Sequence, residues 1–192
     1  MRMYTKAIKT VEERAQMNEK GQTAKLVWRI TCAHTIAYFL AGIFAMAFMN
    51  YEELFVTVFS SFMRPTTEPI VALGAFLQIF RGILLALIFL PMRKVFFEEK
   101  YGLLKLGLIN IGLAYLLTFG PGVGSFEGYI YTTIPARYQI VGIPEMLLHY
   151  GLFIGILYIS QKFAHKKIIT ISSIILMLLI SFMSIVGFFH SI

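Results

Sequence analysis

The sequence predicts an all-α integral membrane protein: a five-span helical bundle with a cytoplasmic amphipathic helix at its N-terminus. Three observations carry this reading. Of 192 residues, 58% are hydrophobic, and the mean hydropathy is +0.75, outside the range of an ordinary soluble domain. Five apolar runs follow one another, each close to the length that crosses a bilayer as a helix. Lysine and arginine alternate between the segments that join those runs.

The runs are Leu26–Met49, Ile70–Leu90, Leu103–Phe119, Glu145–Ser160 and Ile168–His190. Asn50 closes the first. Pro69 opens the second and Pro91 ends it. Gly120, Pro121 and Gly122 end the third, and Pro144 sits in the first turn of the fourth, where its missing N–H costs nothing. The third and fourth are the shortest. Counted along the chain, the flanking segments hold 7, 1, 4, 1, 3 and 0 basic residues. The positive-inside rule then puts the N-terminus in the cytoplasm and the C-terminus outside, in the cell membrane.

Residues 1–25 read as a cytoplasmic amphipathic segment and 26–192 as a single transmembrane domain. Met3, Tyr4, Ala7, Ile8 and Val11 share a helical face flanked by Arg14 and lysines, a pattern suited to the surface of a leaflet. Tyr51–Met63 is too short to span and reads as an interfacial helix on the outer side. Ala33, Ala37, Ala41 and Ala45 recur every fourth residue on the first span. Such a stripe allows close helix contact, inside the chain or between copies of a homo-oligomer. The +7 formal charge reads as topology, and no nucleic-acid partner is expected. Membrane lipids are the expected surroundings. The single cysteine, Cys32, excludes an intrachain disulfide.

Arg81 is the candidate centre of function. It lies mid-way along the second run, with Gln78 the only other strongly polar side chain there. A charge at that depth costs at least ~2.5–3.5 kcal/mol on insertion scales and needs protein, water or a ligand around it. Counting depth at ~1.5 Å per residue brings Arg81 and Asn110 to the midplane. By the same rise His34 falls roughly 5 Å to the cytoplasmic side and His149 roughly 5 Å to the outer side. No carboxylate shares the depth of Arg81. Its charge is then met by Gln78, Asn110, tyrosines and carbonyls, by Glu127 lowered on its loop, or by a bound anion. The candidate ligand-binding set is Arg81, Gln78, Asn110, His34 and Glu127.

Glu145 and His149 are four residues apart and share a helix face. They are the candidate acid–base pair of a catalytic reading. As a metal site they lack a third ligand, so no metal is expected. Haem between His34 and His149 is disfavoured by their counted depths, and no cofactor is expected. The glycine-rich loop Gly120–Pro144 reads either as a plain exposed loop or as a gate whose backbone can approach a ligand. The leading functional expectation is binding or translocation of a small anionic or amphipathic ligand through a site centred on Arg81. The alternatives are a membrane-embedded enzyme acting on a lipid or isoprenoid, and an accessory subunit of a membrane complex. Whether the chain is an enzyme is open at this point.

Overall fold

The structure, a computed structural model, describes residues 2–116 and 122–190, with side chains from Met17 onward except Asn18. The described residues are helical and contain no strand. The first helix, α1 (Arg2–Phe48), runs without a break from the polar N-terminal segment through the first apolar run. The side chains of the expected amphipathic face lie outside the described set. Asn50, in the left-handed region at φ 51°, turns the chain into α2 (Tyr51–Val56). The helix expected over Tyr51–Met63 thus stops early, and turns that bury Phe59 complete it.

Pro69 starts the short α3 (Pro69–Ala72), and α4 (Gly74–Phe89) follows after Leu73. Pro91 ends α4 as expected, in a single 3-10 turn (Leu90–Met92). A π-helical turn (Lys94–Glu98) that buries Phe96 leads to α5 (Gly102–Leu116). Two short helices, α6 (Phe126–Tyr131) and α7 (Ala136–Gln139), precede α8 (Gly142–Lys162) and α9 (Lys167–His190). Among the described residues four stretches are long and apolar enough to cross a membrane: Glu19–Phe48, Gly74–Met92, Ala136–Lys162 and Lys167–His190. The third expected span is the shorter apolar helix α5, and residues 117–121 at its end lie outside the described set.

The centre of the bundle is α1. Helices α4, α8 and α9 pack along it, and α5 packs on α8. The alanine stripe is spent on this packing. Ala33, Ala37, Ala41 and Ala45 are 0, 0, 1 and 1% exposed, covered by the chain's own helices, so the stripe is not a free surface for a second copy. Gly82 lets α4 approach most closely: a Cβ there would lie 2.9 Å from the Thr31 Cα. Leu26, Ile30, Ala86, Phe89, Leu106, Phe153 and Leu157 fill the main core, and Cys32, Ile36, Met177 and Ile180 join α1 to α9.

Polarity in the last apolar run suggests no more than a lipid-facing wall, and the structure corrects that impression at one residue. The Ser184 hydroxyl accepts from the Phe76 N–H at 3.1 Å and donates to the Ala72 carbonyl at 2.6 Å. These two groups would bond each other in an unbroken helix. A hydroxyl from α9 is therefore inserted into the ladder between α3 and α4, a recognised cause of a helix break. Ser184→Ala is expected to cost ~1–3 kcal/mol, since it leaves two backbone groups without partners. Reversible unfolding in dodecyl sulfate measures this, and an unchanged midpoint would show that the break is held by something else.

Candidate functional site

The polar residues of α1, α4 and α8 meet in one cluster. The His34 Nε2 lies 3.1 Å from the Gln78 Oε1. The His34 and His149 rings touch edge to face, with centroids 5.3 Å apart. Tyr38 packs against His149 at 6.0 Å, Tyr150 at 5.2 Å, and Phe153 closes on His34 at 6.2 Å. His34 is buried, while Tyr38, Gln78, His149 and Tyr150 are half-buried.

This corrects the counted depths. Counting put His34 and His149 on opposite sides of the midplane. The side chains of His34, His149 and Gln78 meet. The count assumes that each apolar run is centred on the bilayer. In fact α1 is an unbroken helix that begins well before its apolar run, and its small-residue contacts with α4 and α8 set its register. The His34 and His149 rings meet edge to face, so the counted depths do not separate them. Among the described residues no group of three or more histidines, cysteines and carboxylates is arranged to hold a metal ion.

Arg81 borders the cluster. Its guanidinium is near enough to His34, Tyr38, His149 and Tyr150 to act on each electrostatically. Those four residues belong to α1 and α8, so Arg81 on α4 lies on the side of its helix nearer the cluster. The side chain is exposed. Among the described residues no carboxylate forms an ion pair with it.

The other expected members of the site are placed elsewhere or used otherwise. Gln78 turns its Oε1 to His34 and its amide nitrogen to the Gly74 carbonyl at 3.4 Å. Asn110 donates to the Leu106 carbonyl of its own helix at 2.8 Å and does not join the cluster. Glu127 is half-buried in the first turn of α6. Glu145 and His149 share a face of α8, yet Glu145 accepts a hydrogen bond from the Tyr51 hydroxyl on α2, and His149 turns to His34 and the tyrosines. Burial, and then that bond, raise the Tyr51 hydroxyl's pKa above the ordinary tyrosine range.

A cavity of about 1230 Å³ opens next to the cluster. Tyr38 and Glu145 line its inner part, with Phe39, Ile43, Met46 and Phe55 along its apolar walls. The broken α3–α4 junction contributes Ala72, Gly74 and Ala75, and Arg64 stands at the rim, paired with Glu68 at 2.6 Å. Irregular backbone is tolerated at membrane depth where it borders such a cavity.

The glycine-rich loop is an ordered clasp over the described part. Gln139, 1% exposed, accepts from the Gly124 N–H at 2.9 Å and donates to the Gly128 carbonyl at 2.9 Å and the Thr132 hydroxyl at 2.7 Å. Ser125 caps α6 through the Gly128 N–H at 3.0 Å. Gly124 needs its positive φ of 82°. A Cβ on Gly128 would stand 2.1 Å from the Gly122 carbonyl. Gln139→Ala is expected to cost ~2–3 kcal/mol, because it orphans a buried N–H and removes two further bonds. Hydrogen exchange at the Gly124 amide should accelerate. Unchanged protection there would mean that the clasp does not depend on Gln139.

Neither Gln139 nor Ser184 is visible as a site residue in the sequence. Their partners are local to the fold and distant or irregular in the chain. Comparison with family models, with curated proteins and with solved structures finds no match to this chain, so the chemistry of the site rests on its own residues.

Proposed function

We propose that this protein binds, and in a membrane translocates, a small amphipathic ligand with an anionic end. The observation that carries the proposal is the junction of two features at Tyr38. On one side of Tyr38 lies an apolar cavity of about 1230 Å³, above the ~300–1,000 Å³ of a typical small-ligand pocket. On the other lies the His34–Gln78–His149 cluster with Arg81 beside it. The guanidinium offers a planar fork to a carboxylate or phosphate. The cavity takes the apolar body.

Gly42 and Gly142 line the cavity, and a Cβ at either meets nothing within 4 Å. Gly42→Phe therefore fills the space without disturbing the backbone. Purified protein should bind dansyl-undecanoic acid saturably, and Gly42→Phe should lose that binding while unfolding at the same dodecyl sulfate concentration. Equal binding by both would remove the cavity from the site.

The membrane frame proposed with it is five spans, α5 being the third, with a cytoplasmic N-terminus in the cell membrane. One end of the bundle gathers Lys25, Arg29 and Arg93 around a single cavity. The cavity beside Tyr38 joins the α1–α2 turn, the α3 region and the start of α8 at another. This grouping supports the alternation of basic residues. In a Cys32→Ser background, exposed Ser60→Cys and Tyr131→Cys should react with an impermeant maleimide added outside cells. Lys100→Cys and Lys166→Cys should react only after permeabilisation, and the reverse pattern would invert the threading.

A second reading gains from the same cluster. Two histidines and two tyrosines in contact, with an arginine beside them, are groups that a membrane-embedded enzyme acting on a lipid or isoprenoid phosphate could use. There Arg81 holds the phosphate and His149 moves a proton. Glu145, turned to Tyr51, acts in that reading on the cavity side rather than as the partner of His149. Turnover of a polyprenyl phosphate by the wild-type protein, lost in His149→Ala, would favour it over binding alone.

A further inference from the structure

The end of the bundle that bears Lys25 and Arg29 is hollowed on two sides. Two cavities meet there. One, of about 340 Å³, is polar and lined by Gln22, Lys25, Arg29, Arg93, Glu98 and Gln161. The other, of about 530 Å³, lies between α1, α8 and α9, with Trp28, Cys32, Ile36, Ile156 and Leu176 among its apolar walls. Lys25 and Arg29 line both.

The polar cavity holds three cationic side chains against one carboxylate. Glu98 is already engaged, since Arg93 lies 3.0 Å from it and also donates to Gln22 at 3.1 Å. Among the described residues neither Lys25 nor Arg29 has an ion-pair partner. They are one helical turn apart, so their charges add over the same spot. Basic pockets between membrane helices suit acidic lipid headgroups. A soluble anion would use the polar chamber alone. An apolar chamber opening beside the same two cations suits an amphiphile.

We infer that this end of the bundle holds one anionic phospholipid, its phosphate between Lys25, Arg29 and Arg93 and an acyl chain in the cleft of α1, α8 and α9. This site is separate from the cavity at Tyr38, which uses α1 from Tyr38 onward, and does not depend on what that cavity binds.

Trp28 makes the test direct. It is the only tryptophan of the chain and lines the apolar chamber, so a brominated acyl chain seated there quenches its fluorescence. The full chain is reconstituted in phosphatidylcholine vesicles containing a minor fraction of either brominated phosphatidylglycerol or brominated phosphatidylcholine. At about fivefold per effective basic residue, phosphatidylglycerol should associate at least about fivefold more strongly than phosphatidylcholine. Lys25→Gln with Arg29→Gln should abolish that preference and leave the unselective quenching by surrounding lipid. Equal quenching of the wild-type protein by the two lipids overturns the proposal without any variant. So does a preference that survives in the double variant. Inorganic phosphate added at constant ionic strength should not relieve the selective quenching. If it does, the site reads a free anion, and the phospholipid assignment fails.

Discussion

Gly82→Val is expected to destabilise this protein by at least ~2–3 kcal/mol, at the upper end of the range for overpacking a well-packed contact. The contact is backbone to backbone. A Cβ at Gly82 would stand 2.9 Å from the Thr31 Cα and 3.2 Å from the Thr31 carbonyl oxygen. Neither atom can swing away as a side-chain end can, so the two helices must separate. Four residues before Gly82 is Gln78, and three residues after Thr31 is His34, joined across the same helix pair at 3.1 Å. Widening the pair loosens that bond and the packing of Ala86 beside it. The expected result is a lower unfolding midpoint together with loss of the fatty-acid probe. The counterpart, Gly42→Phe, adds more volume and should leave stability unchanged, because its position faces open space. A stable Gly82→Val protein would mean that the α1–α4 crossing is looser than these distances require.

The parts of the fold that were legible in the sequence are those that depend on one helix at a time. Length and apolarity mark where helices run, and Pro69, Pro91 and Pro144 mark their edges, because each acts on its own few residues of backbone. Register between helices was not legible. It depends on which small residues meet, and Gly82 against Thr31 is a pairing across 51 positions that hydropathy does not report. That is why the counted depths separated His34 from His149, which the fold brings together. The break between α3 and α4 was hidden for a related reason. The local sequence carries only glycine at position 74, while the hydroxyl that holds the break comes from Ser184 on α9. In the site, Arg81, His34, Gln78 and His149 stood out as polar groups in apolar runs. Asn110 stood out equally and is spent on its own helix. Polarity in a span marks a residue that needs a partner, and only the packed structure tells whether that partner is local.

The central claim is that Arg81 anchors the anionic end of a bound amphiphile. Its guanidinium is near enough to Tyr38 and the two histidines to act on them electrostatically, and it has no ion-pair partner among the described residues. A charge kept for binding burdens the fold, whereas a charge kept as a clamp supports it. Affinity and stability should therefore move in opposite directions when it is removed. The direct measurement is dansyl-undecanoic acid binding, paired with dodecyl sulfate unfolding, for the wild-type protein, Arg81→Lys and Arg81→Leu. Arg81→Leu should unfold at an equal or higher denaturant concentration and bind at least ~10-fold more weakly, the equivalent of losing ~1.4 kcal/mol of charge-assisted contact. Arg81→Lys should keep the stability and still bind less tightly, because an ammonium lacks the planar fork. An Arg81→Leu protein that unfolds more easily, or that binds the probe as tightly as the wild type, would contradict the claim.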